Sequence, residues 1–215
     1  MSTATLERRR SELREYFDRT AVDAWARLTS NEPVGRIRAT VRAGRDRMRS
    51  LLLGRLPLDL SGRRILDAGC GTGAFAIEAA RRGAQVVAID LSPTLVDIAR
   101  DRLPADVAGA IVFRSGDMLD AGLGQFDHVV AMDSLIHYET SDMVRALSEL
   151  AGRTRRSMVV TFAPSSAALE VMHAVGRLFP RGDRAPAIEP VREGRLRREI
   201  VLERRLAEWE VTHCE

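Results

Sequence analysis

The chain has 215 residues, 45% of them hydrophobic and 29% charged, enough to bury a full core without a disulfide staple. Cys70 and Cys214 share no framework or metal-binding spacing, no apolar run approaches a membrane span, and the first residues lack the apolar centre of a signal peptide. A cytoplasmic protein with no metal site is therefore expected. The net charge of +3 rests on 33 basic residues, all of them arginine, while aromatics at 5% and the lack of an RNA-binding motif argue against a nucleic-acid partner.

Residues from about Thr5 to Leu56 are expected to be helical, with Tyr16, Phe17, Val22, Trp25 and Leu28 forming an apolar stripe. That stripe has no partner of its own, so residues 1–56 read as a cap over the remainder, 57–215. Arg36, Arg38, Arg42, Arg45, Arg47 and Arg49 crowd one stretch, from about Pro33 to Leu53. Such a run is most often a solvated face; the functional alternative is a basic face that attracts an anionic substrate or an anionic membrane surface.

Arg64-Ile65-Leu66 reads as a buried strand, Asp67-Ala68-Gly69-Cys70-Gly71-Thr72-Gly73 as a tight loop, and Ala74 to Arg81 as the helix leaving it. Gly69, Gly71 and Gly73 would let a bulky ligand approach the backbone, with Cys70 as a small residue between them. Gly69-x-Gly71-x-x-Ala74 also satisfies the nicotinamide-cofactor fingerprint. Asp67 separates the two readings, because a carboxylate repels a pyrophosphate and attracts a cation. The run D-x-G-x-G-x-G resembles the S-adenosylmethionine loop of methyltransferases, whose ligand carries an ammonium and a sulfonium.

Further strands follow in the order that a doubly wound sheet requires. Gln85 to Asp90 ends in an acid about 20 residues past the loop, placed for ribose hydroxyls. Ser92 and Pro93 open a helix through Arg100, as N-cap and first helical residue. Ala110 to Arg114 is a third strand, closed by Ser115-Gly116-Asp117-Met118, and Phe126 to Met132 is the fourth. A helix is expected over Asp142–Leu150, a fifth strand over Arg156–Phe162, another helix over Ala167–Leu178, and a surface loop over Phe179–Pro186. In class I methyltransferases an acid and an apolar residue after the third strand take the adenine, and the resemblance implies that role for Asp117 and Met118. The whole cofactor set is then Asp67, Gly69, Cys70, Gly71, Gly73, Asp90, Leu91, Ser92, Asp117, Met118 and Asp133.

The fourth strand runs into Met132-Asp133-Ser134-Leu135-Ile136-His137-Tyr138, at the end of an open α/β sheet where ligands bind. It carries none of the Pro-Pro motif that grips a planar nitrogen, and offers His137 and Tyr138 to an oxygen acceptor instead. Together with Tyr16-Phe17, Trp25-Ala26-Arg27-Leu28, Ile37-Arg38, Gly44-Arg45, Phe162-Ala163-Pro164, Leu178-Phe179-Pro180-Arg181 and Ile188-Glu189-Pro190, this block resembles the magnesium-protoporphyrin IX O-methyltransferase family of bacteriochlorophyll synthesis.

The resemblance implies a Rossmann-like sheet with helices on both faces, S-adenosylmethionine as methyl donor, and methylation of one propionate of magnesium protoporphyrin IX. It assigns His137 and Tyr138 to the reacting carboxylate and Tyr16, Phe17, Trp25, Arg38, Met172 and Phe179 to the porphyrin. It makes 163–190 a second lid segment, and it implies a magnesium-chelatase contact and a peripheral position at the photosynthetic membrane. Two departures stand out. Thr29 occupies a place where many relatives have tyrosine, and the run Trp209–Glu215 leaves room for one further strand where relatives close with a Ser-Gly-Phe-Tyr-like hairpin. An incomplete terminal hairpin and an open sheet edge are expected. A methyltransferase for another planar or carboxylic acceptor, a non-catalytic porphyrin carrier and a nicotinamide-dependent dehydrogenase are the alternatives.

Overall fold

The protein was analysed as a computed structural model, which describes residues 11–20, 29, 35–165 and 188–213. The elements expected over Ala167–Leu178 and Phe179–Pro186, and most of the 163–190 lid segment, lie outside the described residues.

Five strands, β1 (Arg64–Ala68), β2 (Gln85–Asp90), β3 (Ile111–Ser115), β4 (Phe126–Ala131) and β5 (Thr154–Val160), form one sheet in the order β3-β2-β1-β4-β5. Every pairing is parallel. Leu66 stands beside Val87 on one side and Val129 on the other, so β1 is central and both its faces are buried. This explains why β1, β2 and β4 read as continuous apolar runs and not as alternating ones. The order reverses between β1 and β4, which leaves a crevice at their carboxyl ends.

Alternate residues of these strands feed two cores. Ile65, Val86, Ala88, Val130 and Met132 face helices α1 (Arg36–Gly54), α2 (Ala74–Arg81) and α3 (Pro93–Asp101). Leu66, Val87, Ile89, Val129 and Ala131 face α4 (Thr140–Ala151) and α5 (Glu193–Leu202). Fully buried side chains such as Ile65, Leu66, Leu135 and Leu150 each contribute roughly 1.5–3 kcal/mol relative to exposure.

Within the stretch expected to be helical, Thr5–Leu56, two helical segments are described. Residues 11–20 are helical, the last five as a π-helical turn (Tyr16–Thr20), and α1 starts only after Gly35, whose backbone is extended. The carboxyl end of α1 belongs to the main core through Leu52 and Leu53, with Leu56 just beyond, while its arginine-bearing middle runs over the crevice. The strand expected over Arg156–Phe162 starts two residues earlier, at Thr154, where Thr154 Oγ1 donates to the Leu150 carbonyl and ties the strand to the end of α4. Residues 203–213 hold a 3-10 turn (Arg204–Leu206) and no strand, so among the described residues β5 is one edge of the sheet and β3 the other. α5 has no counterpart in the sequence-based expectation.

Candidate active site

The crevice at the carboxyl ends of β1, β2 and β4 encloses about 450 Å³. Its floor is the loop after β1. Gly69 has a φ of +86°, and a Cβ there would lie 2.3 Å from the Cβ of Ser134, so the loop presses directly on the segment that follows β4. Ser134 Oγ donates to the Ala68 carbonyl at 2.8 Å and closes that contact. Gly73, with φ +80°, meets the Phe113 ring at 2.9 Å in the same test, so it serves helix–sheet packing and does not line the crevice. Gly71 differs from both. Its φ is +52°, a Cβ would meet nothing within 4 Å, and the space it leaves opens into the crevice. A ligand can touch the backbone there.

Asp67 is 1% exposed, and its Oδ2 has no hydrogen-bond partner among the described residues. Burial, and then the neighbouring Asp90, push its carboxyl up to about 7. A buried carboxylate oxygen left this way is costly unless a cation or donor meets it. Asp90 has partners already: Oδ2 accepts from Gly71 N at 2.8 Å and Oδ1 from Ser92 N at 2.9 Å. Burial raises Asp90 as well, with these two amides opposing it. Its carboxylate thus shapes the glycine loop as it faces the crevice. Burial pushes the Cys70 thiol well up, so Cys70 is a neutral wall residue and no nucleophile.

Leu91, Asp117 and Met118 also line the crevice. Asp117 Oδ1 accepts from Leu119 N at 2.9 Å, which fixes the turn after β3. Ser92 is set behind the wall. Its Oγ caps α3 by accepting from Leu95 N at 3.2 Å and donates to Asp18, which the amino-terminal segment brings onto this helix end.

Another stretch of the crevice wall is built by the residues after β4. His137 and Tyr138, 7% and 2% exposed, both line it, His137 as the last residue of a 3-10 turn (Leu135–His137) absent from the sequence-based expectation and Tyr138 just after it. Phe17 lines it too, edge-on to the His137 ring with centroids 6.2 Å apart. Tyr16 packs edge-on against Phe17 at 5.2 Å and is not part of the wall. Thr29 lines the crevice and its hydroxyl accepts from Arg102 at 2.9 Å. Trp25, Met172 and Phe179 lie outside the described residues, as does the side chain of Arg38.

Three basic side chains of the arginine-rich stretch reach the crevice. Arg42, Arg45 and Arg49 line it from α1, and Arg45 forms an ion pair with Asp133 across the opening. The signal was present in their spacing of three and four residues, which puts all three on one helix face.

A parallel sheet with a switch point, a glycine loop under an orphaned buried acid, and an acid ending β2 define a class I S-adenosylmethionine-dependent methyltransferase. The residues present fit that ligand: Asp67 Oδ2 awaits a cation, and the space beside Gly71 admits a large group against the backbone.

Comparison with known proteins narrows the class. The family described as "Magnesium-protoporphyrin IX methyltransferase C-terminus" matches residues 131–215, and "Methyltransferase domain" matches 65–157. The magnesium-protoporphyrin O-methyltransferase of Rhodobacter capsulatus is 55% identical over 84% of this chain and 81% of its own length. That of Synechocystis sp. is 32% identical over 78% and 74%. The crystal structure of magnesium protoporphyrin IX methyltransferase from Synechocystis PCC 6803 with bound S-adenosylhomocysteine superimposes with a TM-score of 0.72 at 29% identity, covering 88% of this chain and 86% of that one. The chain belongs to the magnesium-protoporphyrin O-methyltransferase family.

Proposed function

We propose that this protein transfers a methyl group from S-adenosylmethionine to one propionate carboxylate of magnesium protoporphyrin IX. The observation that carries the reading is the lining of one crevice: buried acids fitted to a cationic cofactor share its wall with three arginines, a histidine and a tyrosine able to receive a carboxylate acceptor.

When bound, the cofactor supplies a methyl group activated by a sulfonium. Asp67 would hold its ammonium, Asp90 its ribose hydroxyls, and Asp117 with Met118 its adenine, with Cys70, Leu91 and Asp133 completing the wall. A propionate titrates near a glutamate, at about 4.3, so the acceptor is already ionised at neutral pH and no strong base is required. The chain's task is to position that carboxylate and to strip water from it, gains that can reach about 7–11 kcal/mol in well-oriented reactions. His137 and Tyr138 orient one carboxylate oxygen by hydrogen bonds, and Phe17 gives the flat ring an apolar contact. Residues 1–56 and 163–190 act in this reading as a cover, and the bond from Ser92 to Asp18 gives the cover one anchor.

The test is turnover of magnesium protoporphyrin beside its dimethyl ester and a catechol acceptor. The diacid alone should be methylated. Turnover of the catechol in its place would reassign the acceptor, and binding of porphyrin without release of S-adenosylhomocysteine would make the protein a carrier. No described helix is long and apolar enough to cross a membrane. The magnesium-chelatase contact and a peripheral membrane position belong to the same proposal, and co-sedimentation with anionic vesicles checks the second.

A further inference from the structure

Arg45 and Asp133 meet across the crevice from two elements 88 residues apart in sequence, and the fold holds each of them firmly. Asp133 is the one described non-glycine residue with a positive φ, +56°, a conformation that aspartate tolerates better than most side chains. Its amide donates to Thr161 Oγ1 at 2.8 Å, so its backbone is tied to the chain just beyond β5. Arg45 comes from the middle of α1, whose carboxyl end is rooted in the main core. Arg42 and Arg49 flank it on the same helix face, and Arg49 donates to Asp46 at 2.8 Å.

Asp133 lines the same crevice as His137, four residues before it in the chain. An uncompensated aspartate there would repel an anionic acceptor. A guanidinium presents five N–H donors in a planar fork, and can bridge two carboxylates at once. Pairing it with the reacting oxygen would lower that oxygen's nucleophilicity, whereas pairing it with a second carboxylate fixes the ring and costs the reaction nothing.

We propose that Arg45, aimed by Asp133, receives the carboxylate of magnesium protoporphyrin that is not methylated. It is a substrate-positioning residue that selects a porphyrin with two adjacent propionates and sets which of them reaches His137. This inference rests on the porphyrin reading above.

The experiment titrates three porphyrins into the full chain saturated with S-adenosylhomocysteine: the magnesium diacid, its monomethyl ester product and the dimethyl ester. Arg45→Gln should weaken the diacid and the monoester alike, each by about ten- to hundredfold, because both keep the carboxylate that Arg45 holds. Dimethyl ester binding should not change. Arg45→Lys should recover part of the loss, since it restores charge without the fork. Equal weakening of all three porphyrins would make Arg45 a structural residue, and weakening of the diacid alone would place it on the reacting carboxylate; either overturns the proposal, as does no change at all. Calorimetric binding of S-adenosylhomocysteine reports whether the variant is folded, and for the wild type, diacid affinity that falls with salt while diester affinity holds supports the proposal without any substitution. Salt-independent diacid binding contradicts it. A wild-type chain that binds none of the three overturns the functional reading itself.

Discussion

Replacing Asp67 with asparagine should separate folding from binding. The carboxyl is wholly buried, its Oδ2 has no partner among the described residues, and burial followed by Asp90 lifts it from 3.8 to about 7. For an acid, a raised folded value means that the folded chain holds the proton more tightly than the unfolded chain. Stability is therefore greatest below about pH 4 and is lost as the pH rises to about 7. A shift of this size corresponds to about 4 kcal/mol, taken as an upper bound. Asp67→Asn keeps the shape and removes the charge. The variant should match the wild type near pH 4 and exceed it above pH 7, by up to about 8–16 °C in melting temperature for a chain of this size. Its affinity for S-adenosylhomocysteine should fall about ten- to hundredfold, the value of a charge-assisted bond to the ligand ammonium. Wild-type binding near pH 7 should release a proton, seen as a binding enthalpy that depends on the buffer. Scanning calorimetry from pH 4 to 8 with isothermal titration at pH 7.5 makes the comparison. A melting difference that does not change with pH, or full cofactor affinity in the variant, refutes the reasoning.

Other expectations are shorter to state. Gly71→Ala should fold, at a cost of about 1–2 kcal/mol for its left-handed backbone, yet lose cofactor affinity in calorimetry because the new methyl enters the crevice; Gly69→Ala, 2.3 Å from Ser134, should instead melt far lower or fail to fold. His137→Ala should reduce turnover strongly while leaving S-adenosylmethionine affinity nearly intact, and an equal loss of both would make His137 structural. Asp90→Ala should lose cofactor affinity and also speed hydrogen exchange at Gly71 and Ser92, whose amides it holds. His128 is 4% exposed, its Nδ1 meets Ser157 Oγ at 2.7 Å, its Nε2 has no partner among the described residues, and burial lowers its pKa. A lowered histidine costs stability as the pH falls below about 6.5, so His128→Gln should flatten the acid side of the stability profile measured by urea denaturation.

Much of the scaffold was legible in the chain because buried parallel strands write themselves as apolar runs. Arg64 to Ala68, Gln85 to Asp90 and Phe126 to Ala131 each end near an acid or a turn, and helix Ala74–Arg81 follows its glycines with the expected bounds. The glycine loop announced a close approach of backbone, although not which glycine served which purpose. Gly71 opens to the crevice and Gly73 packs on Phe113, a difference that depends on what lies across from each. Asp18 reaching Ser92, and Arg45 reaching Asp133, were illegible for the same reason: each joins elements far apart in sequence, and local pattern carries no signal for such pairs. The turn at Tyr16–Thr20 lies in the stretch expected to be helical, but its π-helical winding has no sequence pattern; helix Glu193–Leu202 falls in a highly charged stretch of weak apolar periodicity, so packing of Leu196 decides its course.

In the proposed reaction one carboxylate oxygen of a magnesium porphyrin takes the cofactor's methyl group in this crevice. Purified protein incubated with S-adenosylmethionine carrying a labelled methyl and with magnesium protoporphyrin, followed by mass spectrometry of the pigment, tests this. One labelled methyl ester should form per porphyrin, removable by mild base and in equal amount with S-adenosylhomocysteine. Label that resists base, label on both propionates, or no transfer to the porphyrin would contradict it.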